Sequence, residues 1–423
     1  ANVKCGNSLI GPEFYDRPQP SLLGDDDLLR VNAFDWRGEF ADIMRAGGFD
    51  AVVGNPPYIR IQALKEWAPL EVELYKQLYR AAGKGNYDIY VVFVEKALSL
   101  LNERGRLGFI LPHKFFNAQY GQPIRKLIAD GRHIAEIVHF GAQQVFSGAT
   151  TYTCLLFLDK RSREDLEFEK VDDLQAWRSS ESGERGTVLA DVVTESEWNF
   201  VVGEKADLFG RLSRLAIKLG KVVDVFVGLQ TSADDVFILD YISSGNDAIK
   251  LRSKALAMEW EFEPDLVFPI VSGTDINRYR PLPERQYVIF PYDVSSGTVK
   301  LLDLKDIARR FPKTAEYLNR NRKQLEGREK GKLKGKGWHG YIYLKNMQRQ
   351  TIQKLCVPRL VEYLYAAYDV EGIHFLDNVD VGGLVWKSDY AYHDLRYLLG
   401  LLNSRLLRWF FPSVSAPFRG GWL

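Results

Sequence analysis

Between Phe49 and Leu158, short apolar runs alternate with stretches of helical period, and this alternation constrains the fold more than any other feature of the sequence. The run Phe49-Asp50-Ala51-Val52-Val53-Gly54 reads as a strand that stops at Asn55-Pro56-Pro57, because glycine and proline interrupt regular structure. Val91, Val94, Leu98 and Leu101 recur at helical spacing, which predicts a helix over residues 87–101. Further strands are expected at residues 106–111, 134–140 and 152–158, with a helix near 122–130. Strands alternating with helices imply an α/β fold with a largely parallel sheet covered on both faces, and ligands bind such sheets at the carboxyl ends of the strands.

The chain has 423 residues, too many for one ordinary core. Residues 161–200 are charged and poorly periodic, so they read as a linker or insertion between a first domain at 1–160 and a second at 201–423. The second opens with a helical stretch and continues with short aromatic-rich strands, the turn Ser272-Gly273-Thr274-Asp275 and a late helix around 393–411. That mixture suggests an α+β domain. No apolar run approaches the roughly 18 residues that would span a bilayer, so no membrane role is expected.

Cys5, Cys154 and Cys356 form no CxxC pair, which argues against a disulfide framework and a zinc site and fits the reducing cytoplasm. His113, His133, His139, His339, His374 and His393 never stand in metal-ligand spacing, so no metal is expected. The net charge is only +1, so any surface for nucleic acid has to be a local one.

The strongest chemical signal is Asn55-Pro56-Pro57-Tyr58, directly after a predicted strand. Its chemistry suits one reaction. The exocyclic nitrogen of adenine is a poor nucleophile, because its lone pair is delocalised into the ring. The Asn55 amide oxygen and the Pro56 carbonyl can both accept hydrogen bonds from that amino group, drawing it towards a tetrahedral shape. This is positioning and charge stabilisation, without a covalent intermediate. Each proline fixes φ and removes a competing N–H, and Tyr58 offers a flat face to an extruded base.

Other segments extend the pattern in order: Cys5-Gly6-Asn7-Ser8-Leu9, then Phe49 to Tyr58, then Tyr87-Asp88-Ile89-Tyr90, then Gly105 to Pro112, then Gln144-Val145-Phe146-Ser147-Gly148-Ala149-Thr150. This ordered set resembles the gamma-type adenine-N6 DNA methyltransferases with a TaqI-like carboxyl-terminal specificity domain, in the restriction-modification branch. The resemblance implies a Rossmann-like methyltransferase sheet, incomplete at its amino-terminal side, followed by an α+β target-recognition domain. It implies methyl transfer from S-adenosylmethionine to a flipped adenine in double-stranded DNA. Asn55, Pro56, Pro57 and Tyr58 would form the catalytic motif, Tyr58 and Phe146 would sandwich the base, and Gly6, Asn7, Ser8 and Asn55 would meet the cofactor.

Where the sequence departs from the family pattern, it shapes the expectation. The glycine-rich loop and acidic residue that hold the rest of the cofactor should precede Gly6, and they do not, so the resemblance implies truncation at both ends. Gly83-Lys84-Gly85 is a lone GxG at the wrong point in the order, and no complete GxGxxG supports a dinucleotide-dependent oxidoreductase. A recognition fragment that is catalytically silent as this chain is the alternative. No PD…(D/E)xK cluster has convincing spacing, so any fused nuclease would lie outside the chain.

In the second half, Val227 to Asp234, Ser272 to Tyr279, Leu402-Asn403-Ser404 and Phe418-Arg419-Gly420-Gly421 resemble the specificity domain. Residues 320–336 are rich in Lys and Arg, and their Gly-Lys alternation lacks the ending of a phosphate-binding P-loop. They read as a flexible basic loop for the DNA backbone. Arg278, Lys330, Lys332, Lys334, Lys336 and Arg419 are accordingly the expected DNA contacts.

Overall fold

A computed structural model describes residues 3–16, 29–146, 151–180, 183–295, 297–415, 417–418 and 421–422. The chain divides into two compact units, one centred on residues 1–213 and the other on 214–412.

The first unit is built on a six-stranded sheet of β1 (Phe49–Gly54), β2 (Leu101–Pro112), β3 (Ile134–His139), β4 (Thr153–Asp159), β5 (Asp165–Lys170) and β6 (Glu184–Leu189), in the order β1-β2-β4-β3-β5-β6. Its helices include Tyr90–Leu100 and Gln122–Asp130. The helix over 90–100 presents Val91, Val94 and Leu98 to the core, as their spacing predicts. Alternate residues of the central strands serve opposite faces. Ile137, Cys154 and Leu156 join the main core, whereas Val138, Leu155 and Phe157 join a smaller cluster with Phe140 and Trp177.

Two sequence expectations are corrected here. The sheet is mixed rather than largely parallel: β1 with β2 and β3 with β5 are parallel, but β4 runs antiparallel to both β2 and β3. A parallel return from β3 needs a crossover, usually helical, and the connection 140–152 supplies no helix among the described residues. Residues 161–200 are not a linker. They form β5 and β6, which extend the sheet from β3, and Leu166, Phe168, Val193 and Trp198 are buried in the first unit's core. Their inward positions alternate with charged ones, which masks the apolar signal.

The second unit contains β7 (Val223–Val227), β8 (Ile238–Ser244), β9 (Ile249–Ser253), β10 (Met258–Phe262), β11 (Val267–Val271), β12 (Gln286–Ile289), β13 (Tyr292–Asp293), β14 (Lys300–Leu301), β15 (Lys354–Pro358), β16 (Ala367–Asp369), β17 (Phe375–Leu376) and β18 (Val381–Trp386). They form a six-stranded sheet β10-β9-β8-β12-β11-β17, a four-stranded sheet β16-β15-β18-β7 and the small pair β13-β14. β15 and β16 pair Lys354 with Asp369, both fully buried, at 2.6 Å, and His374 Nδ1 lies 3.1 Å from the same carboxylate. The late helix expected over 393–411 is two helices, Leu395–Leu402 and Arg405–Val414, interrupted at Asn403. Asn403 leaves the helix because its side chain bonds the backbone of Ala366 in both directions.

Candidate active site and nucleic-acid interface

β1 and β2 are parallel, and β3 is parallel to both because each of β2 and β3 is antiparallel to β4. The carboxyl ends of β1, β2 and β3 therefore share one edge of the sheet, which brings Asn55, His113 and the 140–146 loop to that edge. With strands about 4.8 Å apart, β1 and β3 are separated by roughly 14 Å.

The Asn55-Pro56-Pro57-Tyr58 turn is anchored on its far side. Ile61 N donates to the Tyr87 carbonyl and Ile89 N to the Ile59 carbonyl, both at 2.9 Å, so a short antiparallel clip ties the turn to the start of the 90–100 helix. Pro56 is buried, whereas Asn55 and Pro57 are exposed. The Tyr58 hydroxyl donates to the Ile110 carbonyl at 3.1 Å, and its half-buried ring meets Tyr90 edge-on. Burial, with Cys154 nearby, pushes the Tyr58 phenol up to about 12, so it holds its proton at neutral pH. Behind it the Tyr90 and Tyr120 hydroxyls lie 2.8 Å apart, and Tyr120 donates to Asp88 at 2.9 Å.

Asn55, Pro56 and Pro57 open into a cavity of about 250 Å³ that also presents Ser8, Trp36, Phe93 and Lys96. Ser8 and Asn55 thus line one cavity. Gly6 and Asn7 act behind Ser8. A Cβ on Gly6 would stand 2.7 Å from the Phe34 ring, so only glycine lets the backbone approach. Asn7 uses its side-chain oxygen on Leu9 N at 3.1 Å and its N–H on the Asn32 carbonyl at 2.6 Å. Trp36, Phe93 and Lys96 were not singled out from sequence. Phe93 follows Tyr90 by one helical turn, which is a readable signal, but Trp36 lines the cavity through tertiary contacts, its indole N–H donating to the Ser8 carbonyl at 3.0 Å and its ring packing on Phe34, Phe40 and Phe49. Burial lowers the Lys96 pKa.

The cavity chemistry suits S-adenosylmethionine: aromatic rings for its adenine, and a serine and an amide for its polar groups. At about 250 Å³ it is smaller than the ~300–1,000 Å³ of whole-ligand pockets, so these residues would hold part of the cofactor.

Phe146 is exposed on the loop that follows β3, and residues 147–150 of that motif lie outside the described residues. The loop is founded on two imidazoles in contact, His113 and His139, whose rings are tilted at 43° with centroids 4.2 Å apart. His113 Nε2 lies 3.2 Å from the Gly141 carbonyl, and Gly141 N donates to His139 Nδ1 at 3.1 Å. Burial lowers His113 to about 4 and pushes His139 well below the usual range, so both are neutral.

In the second unit the basic run is more ordered than a flexible loop. Residues Pro312–Arg320 and Arg322–Glu326 are helical, and Arg320 and Arg322 pair with Glu316 and Glu326. Arg328 is buried. Its guanidinium donates to the carbonyls of Leu325, Thr231, Trp338 and Gly340 at 2.7–3.0 Å. Lys332 lies 3.6 Å from Glu329 and over the Tyr343 ring, while Lys330, Lys334 and Lys336 have no ion-pair partner among the described residues. Arg278 is half-buried and donates to the Asn403 carbonyl. Arg419 lies outside the described residues. Among those residues no group of three or more His, Cys, Asp or Glu could hold a metal ion, and no helix is long and apolar enough to cross a membrane.

Comparisons with known proteins agree with this arrangement. Residues 7–146 match the Eco57I restriction-modification methylase family, and residues 268–422 match the TaqI-like C-terminal specificity domain. The type II restriction enzyme and methyltransferase RM.Eco57I of Escherichia coli is 26% identical over 99% of this chain and 42% of its own length. The type II methyltransferase M.PaeR7I of Pseudomonas aeruginosa is 28% identical over 92% of this chain and 64% of its own. The chain thus spans less than two thirds of either relative. Among solved structures, the type IIL restriction-modification enzyme MmeI in complex with DNA superimposes with a TM-score of 0.52 at 12% identity, covering 88% of this chain and 44% of that one, a likeness of fold alone.

The mixed sheet with its candidate site at the strand ends is followed in sequence by a second unit of strands and helices, and the likeness to that solved enzyme is one of fold. The chain carries an Eco57I-like restriction-modification methylase domain and a TaqI-like C-terminal specificity domain, and its homologues are type II methyltransferases.

Proposed function

We propose that the protein methylates the N6 position of an adenine in duplex DNA, using S-adenosylmethionine, as part of a restriction-modification system. The observation that carries this reading is the cavity in which Asn55 and Pro56 of the clipped turn meet Ser8, Trp36 and Phe93. Ser8, Phe93 and Trp36 bind and orient the cofactor, which when bound supplies an electrophilic methyl group.

The target adenine leaves the base stack and enters beside Tyr58, whose hydroxyl is already committed to Ile110, so its ring orientation is fixed before the base arrives. Phe146 closes on the other face from its loop. The Asn55 amide oxygen and the Pro56 carbonyl accept hydrogen bonds from the amino group and hold its lone pair towards the methyl carbon. The cofactor, held by Ser8, Trp36 and Phe93, would supply the methyl group, and Asn55 and Pro56 would keep the amino group oriented while N6 gives up one proton to solvent. DNA is held by the second unit, with Lys330, Lys334 and Lys336 on phosphates.

The test is methylation of adenine by the protein with its labelled cofactor, read by mass of the recovered nucleosides. N6-methyladenine supports the reading, and methylation at cytosine N4, or none, overturns it. The small cavity keeps one alternative open for measurement: a recognition module that is silent as this chain. Titration of S-adenosylmethionine separates the two, because tight saturable binding is expected only of the methyltransferase.

A further inference from the structure

The second unit presents three turns that are tied to one another. Gly228 passes so close to β17 that a Cβ there would stand 2.0 Å from the Leu376 carbonyl, and Leu229 N donates to that carbonyl at 2.8 Å. Gly273 N donates to Asp380 at 2.9 Å, and Asp377 N donates to the Val271 carbonyl at 3.1 Å. Ser272 and Asp275 form a reciprocal capping box, and Arg285 lies 3.6 Å from Asp275. The turns at 228–234, 272–280 and 377–380 therefore share one hydrogen-bonded frame.

On this frame stands Tyr279. Its backbone is left-handed, with φ at 57°, and its side chain is 69% exposed. A β-carbon makes that conformation costly, and glycine or asparagine would adopt it more readily. A large ring at such a position is ordinarily repaid by packing. Among the described residues its ring-face neighbour is the Arg278 guanidinium, 5.3 Å from the ring centroid. Arg278 is half-buried, has Nε without a partner, and meets no carboxylate among the described residues. The fold thus holds a strained backbone that aims a flat ring outward, beside a positive charge that no carboxylate among the described residues neutralises. A flat π-face next to an acceptor for that charge is the chemistry of a nucleic acid.

We propose that Tyr279 is an aromatic wedge of the recognition unit, which stacks on a base step of bound duplex DNA while Arg278 draws in the neighbouring phosphate. This rests on the reading of the protein as DNA-binding and adds a contact that does not depend on methyl transfer. Stacking on a base is insensitive to sequence and to salt, unlike lysine contacts to phosphate. The ring therefore contributes affinity and a local distortion of the duplex rather than a choice of bases.

The experiment uses the protein and a duplex that it selects from a randomised pool, with affinity measured at several salt concentrations for Tyr279→Gly and Tyr279→Phe. Tyr279→Gly relaxes the backbone, so its Tm is expected to stay level or rise. Its affinity is expected to fall about tenfold by the same factor at every salt concentration. Tyr279→Phe keeps the stack and should bind within about twofold of the parent. A 2-aminopurine scan of the duplex should locate one step whose fluorescence changes with the parent and with Phe, but not with Gly. Equal binding by Tyr279→Gly and the parent overturns the wedge and leaves DNA recognition standing, and it points to a protein partner for this ring. A lowered Tm with an affinity loss restored by neither variant shows a structural role and also overturns it. Selection of no duplex by the parent overturns both readings.

Discussion

The first unit places its candidate chemistry on strand ends and clips it from behind, whereas the second presents its exposed groups from strained turns. Of the eight non-glycine residues with positive φ among the described residues, Asn32 and Arg132 are in the first unit, and Ser232, Ala257, Tyr279, Glu329, Lys330 and Asn346 are in the second. Buried polar groups do not divide the units in this way: the first buries the Arg125 guanidinium among the carbonyls of Phe115, Ala118 and Glu195, and the second buries the Lys354–Asp369 ion pair and the Arg328 guanidinium among carbonyls. A methyl acceptor has to be held the same way in every homologue. A recognition surface has to vary, and turns vary more readily than strands.

The largest effect is expected from Arg328→Ala. It would leave the carbonyls of Thr231, Leu325, Trp338 and Gly340 without their donor, and each unpaired buried acceptor costs about 1–3 kcal/mol. Denaturant unfolding should show the second unit losing on the order of 4 kcal/mol while the first unit's transition stays in place. If both transitions move together, the units are not independent and the contrast fails.

Asn55→Ala comes next. Loss of one preorganised acceptor should lower the methylation rate by roughly 10²–10³-fold with DNA affinity preserved, measured by single-turnover kinetics and binding on the same duplex. Full activity would remove Asn55 from the role assigned to it.

Acid should then distinguish the units. His113 has a folded value of about 4 against an ordinary 6.5, because burial disfavours its charge. The unfolded chain therefore binds more protons between those values, and the contribution of His113 to stability is complete above about 6.5 and is lost as pH falls towards 4. The scale is roughly 3 kcal/mol. His139 and His133 shift the same way through burial, and in the second unit His339 does too. Burial alone would raise Asp369, but the His374 hydrogen bond and the Lys354 charge outweigh it and hold it below the ordinary carboxylate value. Its contribution is present above about 3.9 and is lost only below that. Unfolding monitored from pH 7 to 4.5 should weaken the first unit more than the second, and His113→Asn should flatten that slope.

The smallest effect belongs to Lys334→Ala and Lys336→Ala. Each is expected to reduce the slope of log affinity against log salt by about 1 without altering site preference. Lys332→Ala should do less, since Glu329 already meets that charge. An unchanged slope for all of them would make this run a solvated surface.

The first unit was legible wherever periodicity and turn chemistry agree. The 122–130 helix and the strand ending at Gly54 follow from local pattern, and so does the delivery of Asn55 to a sheet edge. The reversal of β4 was not legible, since strand direction depends on what connects two strands and not on the strands themselves. β5 was hidden because Asp165-Leu166-Glu167-Phe168-Glu169-Lys170 sets only two apolar residues among four charged ones, and β6 because it buries no residue fully. In the second unit the basic count over 320–336 treated every cation alike. Only three-dimensional placement separates Arg328, with its carbonyl partners, from Lys334 and Lys336. The cavity wall at Trp36 was out of reach for the same reason, since nothing local links residue 36 to Ser8.

The guanidinium of Arg328 has a consequence for inheritance. Because it joins Thr231 to Leu325, Trp338 and Gly340, the 228–234 turn and the 325–340 segment cannot be exchanged between relatives one at a time without stranding carbonyls in the interior. They form one cassette with a single latch. Recombination that swaps this cassette whole would deliver both segments ready folded, and exchange within it would be purged as misfolded protein.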